Sequence, residues 1–265
     1  MESNLSHEPS KTVNRLKDKI KNIVSNQKIS GHYYAFWDFD GTLIRGDISI
    51  GKHDGLDDDY YGLLEDVILN GFVKNHSGHE GLKAFWDDYT VRMKENYKQS
   101  HTYIAEMVHS LPDESLSRLK AFAHQQFNSR IKYYLYPVAM DLMKFMDNLG
   151  VRHCVISASP HVFVECASSY LPVEPWAVYG VGCDRHLPSE QQIINCGTGK
   201  AERAKQELSK APSDSATIFA AGNHWMSDGD MIRMAQEQNG CSLLINEALP
   251  SEYSDQPGYF SLKFD

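Results

Sequence analysis

Two aspartates, Asp38 and Asp40, follow an apolar run at a spacing of two residues. Residues two apart in a strand face the same side, so the pair would place two carboxylates in one crevice at the strand's carboxyl end. Carboxylates this close repel each other unless a divalent cation or an added proton offsets their charge. The pair therefore predicts either a magnesium site or an acid/base couple. Gly41 lets backbone amides approach an anion, and Thr42 adds a hydroxyl donor.

The elements that would position these carboxylates follow from hydrophobic patterning. The aromatic and apolar run at 33–37 predicts a buried strand that ends at Asp38. An Asp-Gly pair between apolar residues is also typical of a hairpin turn, and that alternative stays open at this point. After residue 134, helices and strands alternate, with strands at 151–156, 216–221 and 242–245 and helices from Pro137 and at 202–209 and 230–238. This alternation indicates an α/β fold with a doubly wound (Rossmann-like) parallel sheet.

The segment FWDFDGTLI resembles the first motif of the haloacid dehalogenase superfamily of aspartate-nucleophile phosphatases. Three later segments are similar to the superfamily's other motifs, in the expected order. VISASP at 155–160 looks like an apolar strand that delivers the Ser157 hydroxyl. Lys200, at the beginning of a helix, is similar to the lysine of the third motif. The segment 220–230 resembles the metal-binding fourth motif, with Asn223 and Asp228 at its two acidic positions; an amide oxygen is a neutral magnesium ligand.

The resemblance implies phosphomonoester hydrolysis through an aspartyl-phosphate, with Mg²⁺ as the cofactor. Asp38 would be the nucleophile, and Asp40 would protonate the leaving oxygen and later activate water. The implied catalytic set is Asp38, Asp40, Ser157 and Lys200. The implied phosphate and substrate contacts are Gly41, Thr42, Arg45, Ser157 and Lys200, and the implied metal ligands are Asp38, Asp40, Asn223 and Asp228.

Residues 48–133 change character, from an acidic stretch to helical periodicity, and they occupy the position of the superfamily's helical cap. We therefore predict an N-terminal extension with an amphipathic helix at 1–30, a catalytic core at 31–47 and 134–265, and an inserted α-helical cap at 48–133. Further candidate substrate contacts lie near the insertion: Asp47, Tyr60, Tyr61, Trp86 and Tyr89. Aromatic rings beside the acidic residues 57–59 could bind a quaternary ammonium, although core packing is the simpler role.

Within the superfamily, the SASP and GNHWMSDGDM segments look closest to the phosphoserine-phosphatase-like and phosphorylcholine-phosphatase-like branch. The predicted substrate is accordingly a small phosphorylated metabolite of the phosphocholine or phosphoserine type. Two alternatives stay open, namely a phosphoprotein phosphatase and a non-catalytic binding protein on the same fold. Asn223 in place of an acidic residue and the long N-terminal helix are the observations that motivate the second of them.

Composition narrows the classes of partner. The 265 residues carry a formal net charge of −9, which argues against binding to nucleic acid. No stretch approaches the ~20 apolar residues of a membrane span, so we expect no membrane partner and a cytoplasmic location. The five scattered cysteines favour reduced thiols over disulfides. The N-terminal helix would pack on the core or on a second copy, so any homodimer would form through that helix or the cap.

Overall fold

The computed structural model describes residues 9–73, 75–188 and 191–263. A six-stranded, fully parallel sheet runs through it in the order β3-β2-β1-β4-β5-β6. The strands are β1 (Tyr33–Trp37), β2 (Val151–Pro160), β3 (Ala177–Val181), β4 (Ala216–Gly222), β5 (Cys241–Ile245) and β6 (Tyr259–Leu262). From β1 the sheet grows outward through β2 and β3 on one side, and the chain then returns to the other side of β1 to add β4, β5 and β6. The order in which strands are added therefore reverses at β1. A crevice opens at such a point beyond the carboxyl ends of the strands. The predicted α/β doubly wound fold is confirmed.

Side-chain alternation along β1 buries both faces of the sheet. Tyr34 and Phe36 pack with Met231 and Met234 on one face, whereas Ala35 and Trp37 belong to the larger core on the other face. Aromatic side chains suit a pleated surface that is covered on both sides. The strand is therefore held rigidly at the centre of the molecule, and so are the residues that follow it.

Helices cover both faces. They are α1 (Pro9–Asn26), α6 (Pro137–Asp147), α7 (His161–Ser168), α8 (Thr198–Leu208) and α9 (Trp225–Glu237). Helices α8 and α9 begin several residues before the positions that the periodicity predicts, 202 and 230. Their first turns carry polar residues, Lys200 and Asp228, that are buried at the site instead of lying on an apolar stripe. The polar residues of the site thus interrupt the apolar periodicity at the beginnings of these two helices, and the pattern places both beginnings too late.

In the described part of the chain between β1 and α6, four α-helices and a 3-10 helix (Ile131–Tyr134) are inserted. The α-helices are α2 (Leu63–Leu69), α3 (Gly78–Glu95), α4 (Tyr97–His109) and α5 (Asp113–Ser129). Helix α4 packs on β2 and β3, and α5 packs on α7. One continuous cluster of apolar side chains joins the inserted helices to the sheet, from Phe85 and Phe127 to Trp37 and Phe219. The exact division at residues 48 and 133 stays a prediction.

Helix α1 precedes the first strand and is amphipathic. Its apolar side chains Leu16, Ile20 and Ile23 are buried in the main core, and the helix packs on β4, β5, β6 and α6. Residues 1–8 of the predicted extension lie outside the described part of the chain. Within the described ranges, none of the helices is both long enough and apolar enough to cross a membrane. All five cysteines are free thiols.

A buried histidine on β2, the strand beside β1, makes the stability of the fold depend on pH. The Trp37 indole donates a hydrogen bond to His153 Nδ1 at 3.0 Å, and burial lowers the pKa of His153 from 6.5 to about 4. Between these values the unfolded chain binds a proton that the folded chain does not. The free energy of unfolding therefore falls as the pH drops through this window. From this residue alone we expect a loss of about 2 kcal/mol between pH 7 and pH 4.5.

Urea unfolding of the unaltered protein and of His153→Gln at the two pH values checks this expectation. The glutamine keeps an acceptor for the Trp37 indole but does not titrate. It should therefore lose less stability between pH 7 and pH 4.5 than the unaltered protein does. Equal losses in the two proteins would assign the acid sensitivity to other groups, such as His101 and His109, whose pKa values burial also lowers to about 4.

Candidate active site

Asp38 immediately follows β1, and its backbone is still paired with β4, since its amide donates to the Ala221 carbonyl at 2.9 Å. Its carboxylate is held from two sides. The Thr42 hydroxyl donates to Oδ2 at 2.7 Å, and Lys200 Nζ donates to Oδ1 at 2.5 Å. Thr42 therefore orients the carboxylate, in a contact different from the predicted one with a phosphate.

Lys200 is 2% exposed and bridges two carboxylates. Its Nζ also donates to Asp228 Oδ1 at 2.5 Å. The other oxygen of Asp228 accepts hydrogen bonds from the backbone amides of Asn223 and His224, each at 2.9 Å. Both oxygens of this fully buried carboxylate are therefore engaged, and Asp228 fixes Lys200 and the end of β4 relative to each other.

Asp40 points toward β2. Its Oδ2 accepts hydrogen bonds from the Ser157 and Ser159 hydroxyls, each at 2.9 Å, and its Oδ1 accepts one from the Ile48 amide at 2.7 Å. Ser157 is fully buried and also accepts a hydrogen bond from the Ser159 amide at 2.9 Å. In this structure, then, the predicted phosphate hydroxyl of Ser157 holds Asp40, while Ser159 lines the cavity described below.

Gly41 and Asn223 meet at the floor of the site. Gly41 has φ +70°, and a Cβ there would lie 2.1 Å from Asn223 Nδ2. A side chain at position 41 would therefore displace the amide group of Asn223. The Gly41 amide donates to the Gly46 carbonyl at 2.8 Å, so this turn is closed on itself. Gly41 therefore lets the backbone approach the Asn223 side chain closely, whereas its own amide is already hydrogen-bonded to the Gly46 carbonyl.

The carboxylates carry more negative charge than Lys200 alone offsets. Burial raises the pKa of Asp38 to about 7 against the lowering effect of Lys200, and Asp228 and Asp40 raise it further. Burial and then the Asp47 charge raise the pKa of Asp40 to about 7. Burial opposes the charge on Lys200, but Asp228 and Asp38 raise its pKa above the ordinary value. A bound cation would relieve this excess charge.

These residues surround an open cavity of about 580 Å³ at the carboxyl end of β1. Asp38, Asp40, Gly41, Lys200 and Asn223 line it, and Asp228 lies behind Lys200. The predicted residues from four separate segments therefore come together at one place. The oxygen ligands on offer, carboxylate and amide, are those that Mg²⁺ prefers.

The outer wall of the cavity carries both charges. Arg45 and Lys52 line it together with Asp47 and Asp54. Arg45 and Lys52 both pair with Asp58, and the Arg45 contact is 2.7 Å. Asp47 Oδ1 accepts hydrogen bonds from the amides of Ser49 and Ile50 at 2.6 and 3.0 Å. Of the candidate substrate contacts, Arg45 and Asp47 thus reach the cavity.

The aromatic candidates near the insertion lie elsewhere. Tyr60 is buried and donates to the Arg45 carbonyl at 2.7 Å, and Tyr89 is buried in the core. Tyr61 and Trp86 line a separate pocket around Glu65, to which the Trp86 indole donates at 3.1 Å. In the described structure, none of these four residues lines the cavity at Asp38. Core packing, the simpler role, accounts for Tyr60 and Tyr89.

Several residues of the cavity were not among the sequence candidates. Tyr97 and His101 reach it from α4, and Tyr136, His224, Ser227 and Asn246 complete its wall. Asn246 directly follows β5, as Asp38 follows β1, so the rule that polar residues after strands form the site could have found it. No signal in the linear sequence connects α4 with β1, because that proximity depends on how the inserted helices fold back.

The model of the haloacid dehalogenase-like hydrolase family matches residues 35–233, a span that contains all four motif segments and the insertion. The chain belongs to this family. The predicted superfamily is therefore confirmed, and the protein is a hydrolase of that family. No curated protein matches the sequence of the hydrolase.

Among solved structures, the hydrolase resembles a protein of unknown function from Bordetella pertussis Tohama I, with a TM-score of 0.64 and 12% identity over 88% of this chain and 99% of that one. A substrate-bound phosphoserine phosphatase gives a TM-score of 0.48 and 15% identity over 89% of this chain and 94% of that one. A hydrolase of the same family from Salmonella enterica serovar Typhi gives a TM-score of 0.48 and 11% identity over 95% of this chain and 78% of that one. At these identities the likeness concerns the fold, and the Bordetella protein is the one of the three that supports it.

Proposed function

We propose that this hydrolase is a magnesium-dependent phosphatase that cleaves small phosphomonoesters through an aspartyl-phosphate on Asp38. The observation that carries the proposal is the buried contact of Lys200 with both Asp38 and Asp228 at 2.5 Å, at the open end of β1. It provides a fixed carboxylate nucleophile and a cation beside the position of a transferred phosphoryl group.

The protein's own residues divide the chemistry between them. An oxygen of Asp38 attacks phosphorus in line with the leaving oxygen, while Thr42 and Lys200 hold the carboxylate in orientation. Protonated Asp40 gives its proton to the leaving oxygen, and ionised Asp40 then takes a proton from the water that attacks the phosphoaspartate. Ser157 and Ser159 fix Asp40 for both steps.

The donor set fits a magnesium ion. Asp38, the backbone carbonyl of Asp40 and the Asn223 amide oxygen would hold it, while Asp228 is committed to Lys200 and two amides. Bound there, the ion would neutralise charge on the phosphoryl oxygens. The geometry therefore favours Asn223 over Asp228 as the ligand from the fourth motif.

This assignment predicts the effect of charge at position 223. Asn223→Asp should lower the magnesium concentration for half-maximal activity by about tenfold, because a charged oxygen replaces a neutral one. Asn223→Ala should raise that concentration. Magnesium titrations of phosphate release measure both effects. If neither variant shifts the midpoint, position 223 does not contact the ion.

The outer wall favours a leaving group with an ammonium and a carboxylate, as in phosphoserine, over a quaternary ammonium. Asp47 can accept a hydrogen bond from an ammonium group. Arg45 and Lys52 line the same cavity and can attract a carboxylate. The described aromatic rings at this cavity, Tyr97 and Tyr136, do not include the four candidates that motivated phosphocholine.

Phosphate release from a panel tests the proposal. The panel comprises an aryl phosphate, phosphoserine, phosphocholine, sugar phosphates and phosphopeptides, each with magnesium and with chelator. We expect chelator-sensitive release, with phosphoserine hydrolysed faster than phosphocholine. Faster hydrolysis of phosphopeptides would instead select a phosphoprotein phosphatase. No release from any ester by the folded protein with ample magnesium would favour a binding protein on this fold.

A further inference from the structure

The donors that the sequence assigned to a phosphate are mostly occupied within the protein. The Thr42 hydroxyl donates to Asp38, the Ser157 hydroxyl to Asp40, and the Gly41 amide to the Gly46 carbonyl. Lys200 Nζ already donates to two carboxylates. A phosphoryl group with two negative charges requires further hydrogen-bond donors to leave water. One such donor lies on another wall of the cavity.

Helix α4 forms that wall. Asn96 caps its beginning by accepting a hydrogen bond from the Gln99 amide at 3.2 Å, which fixes Tyr97 as its first residue. The neighbouring Lys98 lies over the turn that precedes α8, because a Cβ at Gly197 would be 3.6 Å from Lys98 Cε. The beginning of α4 therefore lies against the segment that carries Lys200.

The Tyr97 phenol lies among the groups of the site. Its hydroxyl contacts the Cys196 thiol, a weak hydrogen-bond acceptor that a charged phosphoryl oxygen would replace. The residue lines the same cavity as Asp38 and Lys200, with 37% of its surface exposed. Burial, reinforced by Cys196 and by the Asp228 and Asp38 carboxylates against the opposing Lys200, raises the pKa of Tyr97. The phenol is therefore a protonated donor at neutral pH. The ring packs edge-on against His101, with centroids 4.9 Å apart.

We propose that Tyr97 is the contact between the inserted helices and the phosphoryl group, with its hydroxyl donating a hydrogen bond to a non-bridging phosphoryl oxygen of the substrate over Asp38 and Lys200. This inference rests on the proposed phosphatase function. It makes Tyr97 a substrate-binding residue that recognises the part common to all phosphomonoesters, whereas the outer wall recognises the leaving group.

Tyr97→Phe tests the proposal, because it removes the hydroxyl and keeps the ring on His101. The matched control is Tyr103→Phe on the same helix, whose hydroxyl lies 3.3 Å from His76 Nε2 and which lines a different cavity. We expect Tyr97→Phe to lower kcat/KM by about tenfold to a hundredfold, and equally for aryl phosphate, phosphoserine and phosphocholine. Tyr103→Phe should leave kcat/KM unchanged.

Calorimetric binding of inorganic phosphate, in the presence of magnesium, separates this inference from the proposed function. Tyr97→Phe should weaken phosphate binding by a similar factor, even if the unaltered protein hydrolyses none of the esters tested. A loss of kcat/KM confined to one ester would place the hydroxyl at the leaving group and overturn the proposal. So would equal phosphate affinity in the unaltered protein and Tyr97→Phe, or no phosphate binding by the unaltered protein.

Discussion

Asp38→Asn is expected to lower phosphate release by at least about a thousandfold at saturating magnesium. The amide has nearly the shape of the carboxylate, but its oxygen is not a nucleophile. The variant should remain folded, because burial already disfavours the charged form of Asp38. Rates with the best ester of the panel, together with thermal unfolding, measure both properties.

Asp230→Asn is the matched control for this prediction. Asp230 lies on α9 two residues after Asp228, is half-buried, and pairs with Arg233 outside the catalytic cavity. Its replacement should leave phosphate release unchanged. Retention of a tenth or more of the activity by Asp38→Asn would mean that another group attacks phosphorus.

The second large effect concerns the stability of the fold. Lys200→Met would leave the buried carboxylates of Asp38 and Asp228 without their shared cation, which costs about 3–5 kcal/mol of the free energy of unfolding at pH 7. Burial raises the pKa of Asp38 to about 7 even beside Lys200, whose charge lowers it, so loss of that cation should raise it further. Protonation then relieves the repulsion, so the deficit should shrink as the pH falls from 7 toward 5.

Urea unfolding of Lys200→Met at pH 7 and pH 5 checks this prediction. Lys205→Met, at an exposed position on the same helix, is the control and should change the free energy of unfolding by less than about 0.5 kcal/mol. A deficit in Lys200→Met that is the same at both pH values would show that lost packing of the lysine stem causes the effect, instead of uncompensated charge.

The local signals in the sequence predicted the centre of the fold well. The run at 33–37 is aromatic and followed by two aspartates, so both β1 and the place of Asp38 follow from pattern alone. Strands β3 and β6 were not predicted, because they are short edge strands whose residues are largely half-buried. A continuous apolar run marks a strand covered on both faces, and these two are not.

The directions of side chains in the site could not be predicted in the same way. The sequence places Ser157 and Asp40 at the ends of neighbouring strands, but whether the serine faces a phosphate or Asp40 depends on the register between β1 and β2. Likewise, Tyr97 approaches Lys200 through the packing of α4 on β2 and β3. Tertiary contacts of this kind leave no periodic trace in the chain.

The apolar cluster that runs from Phe127 and Phe85 through to Trp37 and Phe219 makes the insertion and the sheet thermodynamically inseparable. The inserted helices and the sheet cannot unfold independently, because unfolding either one would expose the apolar surface of the other to water. Heating should therefore give one calorimetric transition.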